Sequence, residues 1–269
     1  MCPGAGLVAS RRELLRSGVA AGIGAALSAC GVHVGGGDRA VPSLSGGGSG
    51  QGRLSFRPAS PAPASGRTGR ITVQGAAEAP PASAYVPATA GDDRPLRLVL
   101  FLHGAGGAAE QAVDALRSFA DEEHLLLVGP KSAQATWDVI DGGFGPDVQN
   151  IDHLLETVSA AYPIGGYTVA GFSDGASYAL SLGIANGDVF YSVMALSPGF
   201  HAARVRNGSP RFFVSHGTED QVLPIDRCSR RLVPELRRSG YEVTYEEFVG
   251  GHAVPQRIKQ TAIDWLTAR

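Results

Sequence analysis

From Ile71 onward, short apolar runs alternate with segments of helical periodicity. Leu96–Leu102 is a near-continuous apolar run, as expected of a parallel strand buried on both faces. Further runs predict strands at 71–74, 84–86, 124–128, 167–170, 190–196, 211–215 and 241–248. Helices are predicted over 108–120, 147–160, 174–185, 226–238 and 256–267. In the second of these, Val148, Ile151, Leu155 and Val158 form a buried stripe. Pro146 and Pro255 suit helix starts, where the missing N–H would have no partner anyway, whereas Pro234 should kink or shorten its helix. The alternation predicts an α/β fold: a doubly wound, mostly parallel sheet with helices on both faces. In such sheets, ligands gather at the carboxyl ends of the strands.

The pattern is different before residue 70. Ser10-Arg11-Arg12-Glu13-Leu14-Leu15-Arg16 precedes a Gly/Ala-rich apolar run, Ser17 to Leu27, and then Leu27-Ser28-Ala29-Cys30. That run is too short to span a bilayer, and a basic segment ahead of it marks residues 1–29 as an export signal. The paired arginines resemble a bacterial twin-arginine signal. Leu-Ser-Ala-Cys resembles a bacterial lipobox, which implies lipidation of Cys30 and attachment to the cell envelope, or else secretion. Residues 30–69 are Gly-, Ser- and Pro-rich and read as a disordered tether, which leaves 70–269 as the folded domain. The Gly runs in the tether lack the Lys-Ser/Thr and the preceding strand of a phosphate loop.

Composition adds limits. Apolar residues make up 43% and charged residues 18%, enough for a core. The net charge of −2 becomes −4 over residues 30–269, where 20 basic residues face 24 acidic ones. That balance gives no reason to expect nucleic acid as a partner. Of the three cysteines, only Cys228 lies in the folded domain, on a stripe with Ile225, Leu232 and Leu236, so a core position is expected rather than a bridge.

Gly171-Phe172-Ser173-Asp174-Gly175 sits between a predicted strand and a predicted helix, which is the setting of a nucleophile elbow. The serine of such an elbow occupies a strained turn whose flanking glycines avoid collisions, and the following helix points its positive end at developing charge. The triad order on this fold is Ser, then an acid, then His. Of seven histidines, three follow Ser173, and only His252 follows Asp220. Asp220 follows the strand at 211–215, and His252 follows the strand at 241–248. Ser173, Asp220 and His252 are therefore the expected catalytic residues. His103-Gly104-Ala105-Gly106-Gly107 follows the strand at 96–102, so the backbone N–H groups of Ala105 and Asp174 are the expected oxyanion donors.

With these strings in view, residues 95–269 resemble the phospholipase/carboxylesterase branch of the α/β-hydrolases, which shades into polyhydroxybutyrate depolymerase-like esterases. Ser215-His216-Gly217-Thr218-Glu219-Asp220 with Val222-Leu223-Pro224, and Gly251-His252-Ala253-Val254-Pro255, carry the likeness together with the two glycine motifs. Where that branch usually has Gln after the nucleophile, this chain has Asp174. The expected function is hydrolysis of small or polymeric carboxylic esters through an acyl-enzyme, with short to medium acyl chains. Polyester or feruloyl-ester hydrolysis is the alternative within the class, and a non-catalytic ligand-binding lipoprotein is the alternative outside it.

Only Ser197–Pro210 separates two strands where relatives insert a cap, so no cap domain and an open site are expected. Trp137 and Phe144, on the long loop after the strand at 124–128, are candidates for a substrate wall, with Phe200 and Leu223 as weaker ones. No metal or cofactor is called for: His153 and Glu156 lack a third ligand, and there is no His-Glu-x-x-His.

Overall fold

The computed structural model describes residues 49–59, 67–140 and 142–268. The expected export signal and the lipidation site Cys30 lie outside them. In chain order the elements are β1 (Gly69–Val73), β2 (Ala82–Val86), β3 (Leu96–Leu102), α1 (Ala109–Asp114), β4 (Leu125–Gly129) and α2 (Pro146–Ala161). They continue as β5 (Ile164–Phe172), α3 (Asp174–Ala185), β6 (Phe190–Leu196), β7 (Arg211–Gly217), α4 (Ser229–Arg238), β8 (Val243–Phe248) and α5 (Gln256–Thr267).

The strands form one eight-stranded sheet in the order β1-β2-β4-β3-β5-β6-β7-β8. The first two pairings are antiparallel and all the others parallel. The side-chain alternation of β3 shows how the sheet divides the core. Leu96, Leu98, Leu100 and Leu102 join the layer under α2, α3 and α4, while Val99 and Phe101 join the layer under α1 and α5. No helix is inserted between β6 and β7. The Ser197–Pro210 connection is instead tied to α3, where Ser177 and Ser181 accept the N–H groups of Gly199 and Ala202 at 2.9 Å each.

Three expectations need correction. The 108–120 helix breaks at Leu116, where the backbone (φ −125°, ψ 3°) leaves the helical region and a 3₁₀ turn, Arg117–Phe119, follows; the break lets Leu116 and Phe119 both bury. The helix expected from 226 begins at Ser229, because residues 224–228 close as turns onto the Pro224 and Ile225 carbonyls. Pro234 stays inside this ten-residue helix. The tether expected over 30–69 does not extend through 49–59. Leu54 and Phe56 are buried in the core, the Leu54 N–H donates to Asn186, and the Ser55 and Phe56 N–H groups donate to the Asp152 carboxylate. Together with the Arg53–Asp188 pair and the Asn186 amide donating to the Gly52 carbonyl, these contacts fix a segment whose composition is that of a linker.

Candidate active site

Ser173 stands between β5 and α3 with φ 58° and ψ −121°, a left-handed strain that lifts its side chain above the sheet. Only glycine fits on either side. A Cβ on Gly171 would overlap the Gly175 carbonyl, and one on Gly175 would overlap the carbonyl of Leu102 in β3. Gly104, just after β3, approaches Ser173, and a Cβ there would lie 3.3 Å from Cβ of Ser173.

His252 follows β8, and its Nε2 lies 2.8 Å from Oγ of Ser173. Its Nδ1 lies 2.6 Å from Oδ2 of Asp220, in the loop after β7. Burial alone would raise the Asp220 carboxyl, but the N–H of Leu223, the His252 ring and the N–H of Val222 outweigh it and hold it below its ordinary value. An ionised Asp220 only accepts, so Nδ1 carries the proton and Nε2 is free to accept from the Ser173 hydroxyl. The structure thus brings together three side chains separated by 47 and 32 residues in sequence.

A second histidine, absent from the sequence expectations, serves the same carboxylate. His216 is fully buried at the end of β7, with Nε2 2.8 Å from the Leu223 carbonyl and 3.2 Å from Oδ2 of Asp220. A carbonyl only accepts, so Nε2 bears the proton, and Nδ1 accepts from the Ser229 hydroxyl at 2.7 Å. Burial pushes this imidazole below its ordinary value, which keeps it neutral. The signal was His-Gly-Thr-Glu-Asp itself, but spacing alone does not show that the ring turns back toward Asp220.

Among the described residues, the N–H groups of Ala105 and Asp174 make no hydrogen bond within the protein; Asp174 follows Ser173 directly, and Ala105 follows Gly104, which approaches Ser173. The Asp174 carboxylate accepts the Thr136 hydroxyl at 2.7 Å. His103 braces the glycine loop: Nδ1–H donates to the Gly104 carbonyl at 2.7 Å and Nε2 accepts the Ser132 N–H at 3.1 Å. Its pKa is lowered, mainly by burial.

The substrate-wall expectation fails for Trp137 and Phe144. Trp137 is 1% exposed and Phe144 is buried. Both pack on Tyr178 of α3, with ring centroids 5.2 and 6.0 Å away. The Trp137 indole N–H needs an acceptor once buried and finds the His103 carbonyl at 2.8 Å. The long loop therefore packs on α3 and on the start of the loop after β3 instead of walling the site. Phe200 remains partly exposed, and Leu223 is half-buried against Gly199. Phe172 was missed: its ring lies 4.8 Å from that of His252. A cavity of about 510 Å³ opens there, against His252, Gly104 and Phe172. A larger one, about 660 Å³, lies at the opposite, amino-terminal ends of the strands beside Leu96 and Tyr191, away from this chemistry. Among the described residues, no three His, Cys, Asp or Glu side chains cluster as metal ligands, and no helix is long and apolar enough to cross a membrane.

Solved structures share this architecture. Esterase PE8 is 21% identical, with 73% of this chain and 98% of that one covered and a TM-score of 0.57. The S-formylglutathione hydrolase of Staphylococcus aureus is 15% identical, with 75% and 100% covered and a TM-score of 0.61. The fluorophosphonate-binding serine hydrolase F of the same organism is 16% identical, with 76% and 100% covered and a TM-score of 0.56. The fold is that of the α/β-hydrolases. No family model matches the chain, and no curated protein matches it in sequence.

Proposed function

We propose that this α/β-hydrolase-fold protein is a serine esterase that cleaves carboxylic esters of short to medium acyl chain through an acyl-enzyme. The observation that supports it most is the unbroken relay from Oγ of Ser173 through His252 to Asp220, at 2.8 and 2.6 Å. Ser173 attacks the ester carbonyl while His252 takes its proton, and Asp220 orients the imidazole and balances its charge. The N–H groups of Ala105 and Asp174 receive the oxyanion, usually the largest catalytic contribution. His252 then gives the proton to the departing alcohol, and water, activated the same way, releases the acid.

A fluorophosphonate probe should label the wild type stoichiometrically and leave Ser173→Ala unlabelled, with ester turnover falling by about a million-fold, as triad nucleophiles do elsewhere. Labelling of both proteins, or more than a few per cent residual activity, would remove Ser173 from the role. An ester series from acetyl to palmitoyl, with polyhydroxybutyrate and feruloyl esters, tests the acyl preference. The absence of an inserted helix between β6 and β7 supports small or polymeric esters equally. We further propose that the chain is exported and anchored through lipidation of Cys30, a reading supported by Leu27-Ser28-Ala29-Cys30. Metabolic palmitate labelling that Cys30→Ser abolishes would bear it out, and equal labelling would refute it.

A further inference from the structure

The two proposed oxyanion donors stand on different supports. Asp174 opens α3 directly after Ser173, whose own N–H is held by the Leu196 carbonyl of β6 at 3.0 Å. Ala105 lies at the exposed tip of the loop after β3, beside Gly106, which takes a left-handed φ of 67°. The base of that loop is fixed by close packing: a Cβ on Gly175 would overlap the His103 carbonyl. The tip is held in another way. Among the described residues, the one hydrogen bond that Ala105 and Gly106 make runs from the Gly106 N–H to the Ala135 carbonyl, at 2.7 Å.

Ala135 is itself exposed, and the residue after it supplies the fastening. Oγ1 of Thr136 donates to Oδ2 of Asp174 at 2.7 Å, a short hydroxyl–carboxylate bond. Two bonds therefore bridge one donor to the other, from Gly106 to Ala135 and from Thr136 to the residue whose backbone N–H is the second donor. The neighbouring anchors reach elsewhere. Ala133 and Asp138 donate to the Asp147 carboxylate, and Trp137 reaches His103 at the base of the loop. A donor lowers the barrier only when it is aimed before charge develops, so such a bridge acts on rate more than on substrate affinity. We propose, on the basis of the esterase reading above, that Thr136 is a positioning residue. Through the Asp174 carboxylate it holds the Ala105 N–H in register with the Asp174 N–H. As Oγ of Ser173 bonds to the carbonyl carbon, the carbon–oxygen π pair moves onto oxygen and the serine's proton passes to Nε2 of His252. That oxygen is what the bridge serves, and Thr136 exchanges no proton with the substrate.

Thr136→Val keeps the size of the side chain and removes its hydroxyl. With p-nitrophenyl acetate its kcat should fall about ten-fold at nearly constant KM, less than the roughly hundred- to thousand-fold cost of losing a whole donor. Thr136→Ser, which restores the hydroxyl, should recover most of the loss. An alkyl trifluoromethyl ketone adds to Ser173 as a hemiketal oxyanion in the same position, so its Ki should rise by a similar factor in Thr136→Val. In an Asp174→Ala background, which keeps the backbone N–H, Thr136→Val should cost nothing further. Unchanged kcat in Thr136→Val, equal loss in the Val and Ser variants, a change confined to KM, or the full cost in the Asp174→Ala background would each overturn the bridge and leave the esterase intact. A wild type that neither hydrolyses the ester nor binds the ketone would overturn the esterase reading, and this inference with it.

Discussion

Nε2 of His216 stands 3.2 Å from Oδ2 of Asp220, the same oxygen that receives Nδ1–H of His252 at 2.6 Å. The acid loop is thus pinned from behind by a neutral ring, which is itself fastened to α4 through Ser229 and to the loop through the Leu223 carbonyl. His216 is in this sense a positioning residue for the proposed triad.

His216→Phe should lower kcat about ten- to a hundred-fold while KM changes little, since misplacement of a reacting group by about an ångström costs that much. His216→Gln, whose amide N–H₂ can reach toward the Leu223 carbonyl and Asp220, should recover most of the loss. Equal damage in both variants, or a rise confined to KM, would refute a positioning role.

The same ring predicts a pH dependence of stability. Its folded pKa is below the ordinary 6.5, mainly through burial and against the opposing pull of the Leu223 carbonyl and Asp220. The native state therefore binds fewer protons than the unfolded chain, so this stability is complete above about pH 6.5 and is lost as pH falls from there through the folded value. Urea denaturation at pH 7.5 and 5.5 should show a larger loss for wild type than for His216→Gln. Identical losses would remove His216 as the source.

Asp220→Asn should reduce kcat by about four orders of magnitude, as loss of the acid does in other Ser-His-Asp enzymes, because the amide no longer fixes the imidazole tautomer. Glu219→Gln should have little effect, because that side chain is solvent-exposed while Asp220 is buried. The opposite ranking would transfer the acid's role to Glu219.

Gly175→Ala places a methyl group on the backbone carbonyls of Leu102 and His103, neither of which can rotate away. The expected cost is at least about 3 kcal/mol, the upper end of overpacking penalties. Thermal melts of the purified protein, or its failure to accumulate in soluble form, would register it. A wild-type melting temperature would show that the elbow can widen.

Trp137→Phe keeps the stack on Tyr178 but removes the indole N–H and leaves the His103 carbonyl buried without that donor. The predicted destabilisation is about 1–3 kcal/mol, with kcat down about ten-fold because Gly104 and Ala105 follow directly. Unchanged kcat and stability would mean that the aromatic packing alone holds this strand.

Much of the fold was legible because apolar runs in a parallel sheet are long and bounded: β3 and β6 match their predicted ranges residue for residue. The residues of the candidate triad were legible because an elbow serine demands glycine on both sides, and strand order restricts where the acid and base can follow. Side-chain direction was not. Trp137 lies on a loop at the carboxyl ends of the strands, and the Tyr178 ring, the His103 ring and the His103 carbonyl draw it inward. His216 and Phe172 flank the expected residues in sequence, yet their contacts with Asp220 and His252 depend on rotamers set by packing. Residues 49–59 were hidden by composition, since Leu54 and Phe56 are too few to form a period.

Because Ser173, Asp220 and His252 leave three different strands, the relay exists only after β5, β7 and β8 have aligned within one sheet. The local β1–β2 hairpin contributes nothing to it, and its longest link joins residues 79 apart. Ser173 also needs the β3 loop beside it, and β3 pairs with β5 across the whole of α1, β4 and α2. Such distant pairings close slowly, because loop-closure entropy must be overcome before they yield any contact energy. The proposed ester turnover is therefore a late reporter of refolding: helical signal should return first, and activity only when the last parallel strand has joined.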